Sequence, residues 1–297
     1  MAGLWIIGSS NVDYVLKTRS IAMPGETVIA ESLKKYTGGK GFNQAVTCKQ
    51  LLPETRFISA IGADQDASFI VDKLKKLGFD LGTILGITDQ PTGAAYIQVS
   101  DDGENSIVVH SGANKHLTLD SIKKFEPLFN PGDFTVLQAE LEPIETSLII
   151  DWLKSKTMRI IFNLAPYFPF EKETFNGIDT LIVNETECDS ILKNFNIPSF
   201  KQLGTFLNVP TVILTRGKKG AEVLEEKRSI EVKTTPITPV DTTGAGDAFV
   251  GSYAVARFKG FSSLEGVEIA NSFGSYTATV PGAQPEFPES MKSRLRR

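Results

Sequence analysis

Short, unbroken apolar runs recur along the chain, and most of them stop at glycine or at a polar residue. Leu4-Trp5-Ile6-Ile7 ends at Gly8, Arg56–Ile61 follows, and Phe134–Gln138, Arg159–Asn163, Thr180–Asn184 and Thr211–Thr215 repeat the form. Runs of this length without alternation predict strands covered on both faces, as in a parallel sheet. The segments between them predict helices over 42–52, 67–77, 119–128 and 144–153. Strands that alternate with helices in this way indicate an α/β fold with a doubly wound, mostly parallel sheet flanked by helices.

Two segments break that rhythm. Within 14–36, Tyr14-Val15-Leu16-Lys17-Thr18 and Thr27-Val28-Ile29-Ala30 flank Pro24-Gly25; within 92–110, apolar stretches at 94–99 and 106–110 flank the turn Asp101-Asp102-Gly103-Glu104. Neither is followed by a helix in the strand–helix–strand rhythm, so both are expected to join in a small separate β-sheet. Such a sheet leaves one face bare unless something covers it, and pairing with a second copy would do so. No repeat, low-complexity tract or long linker divides the chain, which reads as a single domain over 1–297.

Composition narrows the chemistry. At 41% hydrophobic and 22% charged the chain is globular, and a net charge of -4 with well-mixed signs gives no reason to expect nucleic acid or an anionic membrane as partner. Cys48 and Cys188 are far apart and each falls in a predicted helix, which leaves no metal knuckle or redox motif and implies buried, reduced thiols. With two histidines, His110 and His116, proton chemistry is expected to rest on carboxylates. The start lacks a basic segment and a long apolar run, and no span reaches membrane length, so a cytoplasmic location is expected.

The most informative stretch is Asp241-Thr242-Thr243-Gly244-Ala245-Gly246-Asp247, directly before a small-residue, apolar segment that predicts a helix. A helix N-terminus presents free N–H groups and positive potential, and glycines there let an anion approach. Gly244, Ala245 and Gly246 would then donate to a phosphoryl group, with Asp247 near enough to take a proton from an attacking hydroxyl. The alternative is that Asp247 only complements the helix dipole and the glycines form an ordinary turn. Upstream, Asn11 and Asp13 follow the first strand, where open α/β sheets bind ligands; an Asx turn is the competing reading. Gly38 and Gly39 would let backbone approach a compact polar ligand, with Lys40 and Asn43 as donors around it.

Residues 241–247 resemble the D-T-x-G-A-G-D signature of the ribokinase-like (PfkB) sugar kinases, and Gly38-Gly39-Lys40-Gly41-Phe42-Asn43-Gln44-Ala45 resembles the family's other signature. The likeness runs over nearly the whole chain, and Gly8-Ser9-Ser10-Asn11-Val12-Asp13 matches the family's N-terminal G-S-x-N-x-D. It implies that Asp247 is the catalytic base, that the Gly-Ala-Gly backbone is the anion hole, and that Asn11, Asp13, Gly39, Lys40 and Asn43 contact sugar hydroxyls. Glu140, in a Q-x-E pattern, joins them, with Glu142 as its competitor. For Mg-ATP the resemblance implies Asn184 and Glu187 around magnesium and phosphates, Thr215, Gly217, Gly220 and Gly246 beside the nucleotide, and Asn271 near the adenine. Locally, 184–187 reads equally well as a helix N-cap.

A potassium activator is implied at Asp241, Thr243, Thr277, Val280, Gly282 and Glu286. Glu286 stands where relatives carry a small hydroxyl residue and Pro281 stiffens the loop, so ion dependence is expected to differ. Ala67 replaces a usual glycine in a scaffold turn. The small sheet would be a lid over the sugar and a homodimer interface. The implied reaction moves the γ-phosphate of ATP to the 5-hydroxyl of D-ribose; deoxyribose, a ketohexose, or a non-catalytic sugar-binding relative are the alternatives. A nicotinamide-dependent oxidoreductase fails because residues 8–13 are not G-x-G-x-x-G, and a P-loop enzyme fails because Gly41 follows Lys40.

Overall fold

The computed structural model describes residues 2–296, so positions 1 and 297 of the expected domain lie outside the described residues. The chain runs through β1 (Leu4–Ile7), β2 (Asn11–Lys17), β3 (Ser32–Gly38), α1 (Lys40–Leu51), β4 (Arg56–Ile61), α2 (Gln65–Lys76), β5 (Ile84–Gly86), β6 (Gly93–Val99) and β7 (Asn105–His110). It continues through α3 (Leu119–Lys123), β8 (Phe134–Gln138), α4 (Pro143–Ser155), β9 (Arg159–Asn163), β10 (Thr180–Asn184), α5 (Glu185–Asn194), α6 (Phe200–Leu207) and β11 (Thr211–Thr215). The hairpin β12 (Ala221–Glu225) and β13 (Arg228–Val232) precedes α7 (Ala245–Phe258), α8 (Ser263–Ala278) and α9 (Glu289–Lys292).

The larger sheet has the order β13-β12-β11-β10-β9-β8-β1-β4-β5 among the described residues. Pairing is parallel from β11 through to β5, and at the other edge β12 runs antiparallel to both β11 and β13. Strand alternation sorts β1 between two cores. Leu4 and Ile6 face a layer built by α1, α7 and α8, while Trp5 and Ile7 face a layer that includes Ile149 and Leu153 of α4 and Cys188 of α5. From β1 the chain moves to β4 on one side and later to β8 on the other. The crevice beyond the carboxyl ends of β1 and β8 is therefore the topological switch point, where such sheets bind ligands.

The second sheet has the order β3-β2-β6-β7. Here the strand boundaries differ from the expectation: 27–30 is not a strand, and the partner of β2 is Ser32–Gly38, paired from Asn11↔Gly38 to Lys17↔Ser32. Tyr14 stacks on Tyr96 at 5.3 Å, and its hydroxyl donates to both carboxylate oxygens of Asp66 at 2.8 Å. The Lys35 ammonium pairs with Asp66 as well, so this sheet is fastened to the first turn of α2.

Two other differences have local causes. The helix expected over 119–128 stops at Lys123, with a 3-10 turn over 126–128, because Pro127 has no N–H to give the Lys123 carbonyl and its ring crowds that oxygen. The β12–β13 hairpin was not anticipated, since charged residues interrupt its apolar pattern.

Candidate active site

Gln138, Asn163, Asn184 and Thr215 are the last residues of β8, β9, β10 and β11, so one polar side chain is set at the same edge of four neighbouring strands. α5 starts directly after Asn184, and α1 and α7 meet at this edge through Gln44, whose Nε2 reaches both Asn163 and Asp247. Asp247, in the first turn of α7, is buried and receives two amide donors: Asn43 Nδ2 to one oxygen and Gln44 Nε2 to the other, each at 2.9 Å. Both donors belong to α1, more than 200 residues away in the chain, and α1 packs on α7. The early polar cluster and the late glycine turn thus share one site.

At the start of α7, Gly244 takes a left-handed conformation (φ 74°), and no side chain caps the helix. A Cβ on Gly244 would lie 2.5 Å from Ala283, whereas a Cβ on Gly246 would meet nothing within 4 Å. The turn is thus packed on its inner side and open on its outer side. The Ala245 amide is engaged by the Thr242 carbonyl at 3.2 Å, so the free first-turn donors are those of Gly246 and Asp247.

Around the expected sugar cluster, Asn11 is buried and its Oδ1 accepts from Asn114 Nδ2 at 2.8 Å, leaving its own NH2 as the group it can offer. Asp13 lies against Gly38, where a Cβ would fall 2.1 Å from the carboxylate. Burial, with the nearby charges of Glu140 and Asp247, pushes the Asp13 carboxyl up to about 7. Glu140 accepts from the Ser9 hydroxyl and from the Lys40 backbone N–H at 2.9 Å, and so caps α1 from across the switch point. Gly39, at φ 88°, is the N-cap residue itself. Burial opposes the charge on Lys40, yet Asp247, Glu140 and Glu187 together hold its ammonium above the ordinary range. Asn43 has both ends of its amide engaged, by Asp247 and by Gln284.

On the expected nucleotide side, Asn184 and Glu187 form a capping box at the start of α5, each side chain bonded to the other's backbone N–H at 2.8 Å. Burial pushes the Glu187 carboxyl up, offset in part by the Asn184 amide and by Lys40. The Thr215 hydroxyl donates to the Val183 carbonyl at 3.3 Å. Gly217 and Gly220 take positive φ in a turn closed by Arg216 N–H to the Gly220 carbonyl at 2.8 Å. Asn271, buried on α8, donates to the Val232 carbonyl at 3.0 Å and so ties α8 to the sheet edge.

The residues expected around a monovalent cation separate into two groups. Asp241 accepts from the Thr243 and Gly282 N–H groups, each at 2.9 Å, and its own N–H and that of Val240 reach the Ala278 carbonyl. Burial works against its charge, but these hydrogen bonds hold its carboxyl below the ordinary range. Val280 and Gly282 lie on the same loop. Thr277 is fully buried and its hydroxyl turns back to the Phe273 carbonyl, while the Glu286 side chain is exposed and its carbonyl accepts from Tyr276.

Sequence reasoning gave no role to Gln44, Gln138, Asn163 or Gln284. Gln138 Nε2 donates to Gln44 Oε1 at 2.7 Å, and Gln44 Nε2 also donates to Asn163 Oδ1 at 3.1 Å. A polar residue closing an apolar strand was the available signal for Gln138 and Asn163. The assembled arrangement offers a buried carboxylate, an open helix N-terminus and a lysine ammonium around one crevice. That set can hold a hydroxyl and a phosphoryl group side by side.

The profile described as pfkB family carbohydrate kinase matches residues 1–290. The chain is 31% identical over 290 residues to a ribokinase of Staphylococcus aureus (strain COL), covering 95% of each chain. Its fold matches the crystal structure of a ribokinase from Thermotoga maritima with a TM-score of 0.89 and 32% identity, over 100% of both chains. It matches Arabidopsis thaliana ribokinase complexed with ribose and ATP with a TM-score of 0.84 and 28% identity, again over 100% of both.

Proposed function

The chain belongs to the pfkB family of carbohydrate kinases, and from that premise we propose that it transfers the γ-phosphoryl group of ATP to the 5-hydroxyl of D-ribose. The observation that carries the reading is the contact between Asn43 and Asp247, which joins the acceptor-side cluster to the base at the mouth of α7. Ribose as the acceptor follows the ribokinase relatives and the relative complexed with ribose and ATP.

In this reading Asn11, through its NH2, and Asp13, through its carboxyl, hold ring hydroxyls, with Gly39 and Lys40 beside them. Glu140 acts by fixing the start of α1. Asp247 accepts the proton of the 5-hydroxyl as its oxygen bonds to phosphorus, and the α7 amides and the Lys40 ammonium meet the charge on the transferring group. The open face at Gly246 leaves room for that group.

Magnesium, when bound with ATP, neutralises phosphate charge and aligns the phosphates for transfer. The fit lies in Glu187, a buried acid with one oxygen outside the capping box, with Asn184 beside it. Thr215, Gly217 and Gly220 line the nucleotide's path, and Asn271 serves it indirectly by fixing α8. Potassium is proposed as activator at Asp241 and the Val280–Gly282 loop, whose oxygen donors suit a hard cation; Thr243 closes the Asp241 turn, and Thr277 and Glu286 act by shaping the loop ends.

The small sheet is proposed as a lid over the sugar and as the contact between two copies of the chain. Among the described residues no helix is long and apolar enough to cross a membrane. With ATP as donor and both cysteines reduced, the reading implies the cytoplasm. A coupled ATP-consumption assay over ribose, deoxyribose and ketohexoses, with and without potassium, tests it. Ribose is expected to give the highest kcat/KM and potassium to raise it; preference for another sugar overturns the assignment.

A further inference from the structure

Gln284 sits in the C-terminal loop, two residues after the glycine whose N–H is held by Asp241. Its Nε2 donates to the Thr37 carbonyl at 2.8 Å and to Asn43 Oδ1 at 2.8 Å, while its Oε1 accepts from the Thr37 hydroxyl at 3.2 Å. A backbone carbonyl can only accept, so the Thr37 contact decides which end of the Gln284 amide carries hydrogen. That settles the next link: Asn43 must turn its oxygen to Gln284, which leaves its NH2 to face Asp247 at 2.9 Å.

A second arm ends the same way. The Ile182 carbonyl accepts from Asn163 Nδ2 at 3.2 Å, Asn163 Oδ1 accepts from Gln44 Nε2, and that same NH2 reaches the other oxygen of Asp247. Both oxygens of Asp247 thus meet donors whose polarity is dictated by a main-chain carbonyl.

We propose that Gln284 is a positioning residue for Asp247, acting through Asn43, and that it sets the C-terminal loop and the root of β3 against the carboxylate. The inference rests on the kinase reading above for its effect on turnover. The bland account, an amide that merely staples a loop to β3, predicts a loss of stability with no dependence on Asn43.

Gln284→Glu keeps the side chain's shape and removes the donor, so Asn43 has to rotate its amide and bring Oδ1 against Asp247. The expected result is a fall in kcat of about tenfold or more, with KM for ATP nearly unchanged. In an Asn43→Ala background the same substitution is expected to add nothing to the loss, because the link between the two is gone. Independent, multiplicative losses in the double variant, or an unchanged kcat in Gln284→Glu, overturn the proposal.

A readout without turnover separates this from a failure of the kinase reading. With 15N-labelled asparagine, the Asn43 side-chain NH2 is expected to exchange slowly with solvent in the unaltered protein. Fast exchange there overturns the relay whether or not the protein phosphorylates a sugar.

Discussion

Among single residues, Asp247 and Asp13 are both acidic and both near the crevice, yet their surroundings assign them different work. Asp247 receives two amide donors, and its replacement by Ala is expected to lower kcat by about 10²–10⁴ while sugar affinity measured by calorimetry stays within about tenfold. An active variant would remove Asp247 from the mechanism. Asp13 receives no such support, and burial with two neighbouring carboxylates pushes it up to about 7. In the unfolded chain the same group loses its proton near its usual value of about 3.9. Between those two pH values the folded chain binds more protons than the unfolded one, so stability falls as pH rises through the window and levels off above it. Asp13→Asn is therefore expected to melt higher than the parent at pH 8 and equally near pH 4, by scanning calorimetry, while losing sugar affinity. A variant that melts lower at pH 8 counts against this account. The sequence made Asp247, Lys40 and Asn11 legible through their motifs. Gln138 and Asn163 were marked only as polar residues closing apolar strands, and Gln44 and Gln284 carried no signal of their own, because an amide has no charge or period to betray it and the partners of these two lie 94 to 247 residues away.

For the elements, the glycines of the Gly38–Gly41 stretch answer to different demands. Gly39 needs its positive φ to start α1, but Gly41 is held to glycine by contact: a Cβ there would sit 2.5 Å from the carbonyl carbon of Gly8 and from Ser9 N. Backbone cannot yield as a flexible side chain does. Gly41→Ala is expected to force α1 off β1 and destabilise the fold by about 1–3 kcal/mol in urea titrations, with kcat falling as Asn43 and Gln44 shift. Unaltered stability would mean that the helix adjusts without strain. Most strands of the parallel sheet were legible, because burial on both faces leaves an unbroken apolar run. β3 was not, since Ser32-Leu33-Lys34-Lys35-Tyr36 is mostly exposed and only Thr37 and Gly38 are buried. The apolar Thr27–Ala30 stretch drew the expectation instead, although Ile29 is 87% exposed in a loop. An exposed strand and an exposed loop with one apolar patch differ in pairing partners, which no local pattern records.

For the molecule as a whole, the second sheet leaves unfinished business at its surface. By register, Asp13 pairs with Tyr36 and Ala95, and Ala95 with Val109, so the face that carries Asp13 continues outward into exposed apolar side chains. Ile107 and Val109 on that edge strand are each more than half exposed. A second copy laid on this face would bury them and shield the sugar at once. Ile107→Asp is expected to convert dimers to monomers in sedimentation velocity runs and to raise KM for the sugar; an unaltered protein that sediments as a monomer at micromolar concentration argues against the dimer. The alternation of strands and helices made the large sheet's class legible, and strand pairs with no helix between them exposed the small one. The antiparallel edge and the fastening of Tyr14 and Lys35 to Asp66 depended on tertiary contacts that spacing does not encode. One consequence of the Asn43–Asp247 contact concerns synthesis. A polypeptide growing on the ribosome makes Asn43 early, but it cannot form this contact until α7 emerges, and it lacks Gln284 until the loop after α8 follows. Products terminated before residue 247 should therefore be catalytically silent however much of the sheet they have formed.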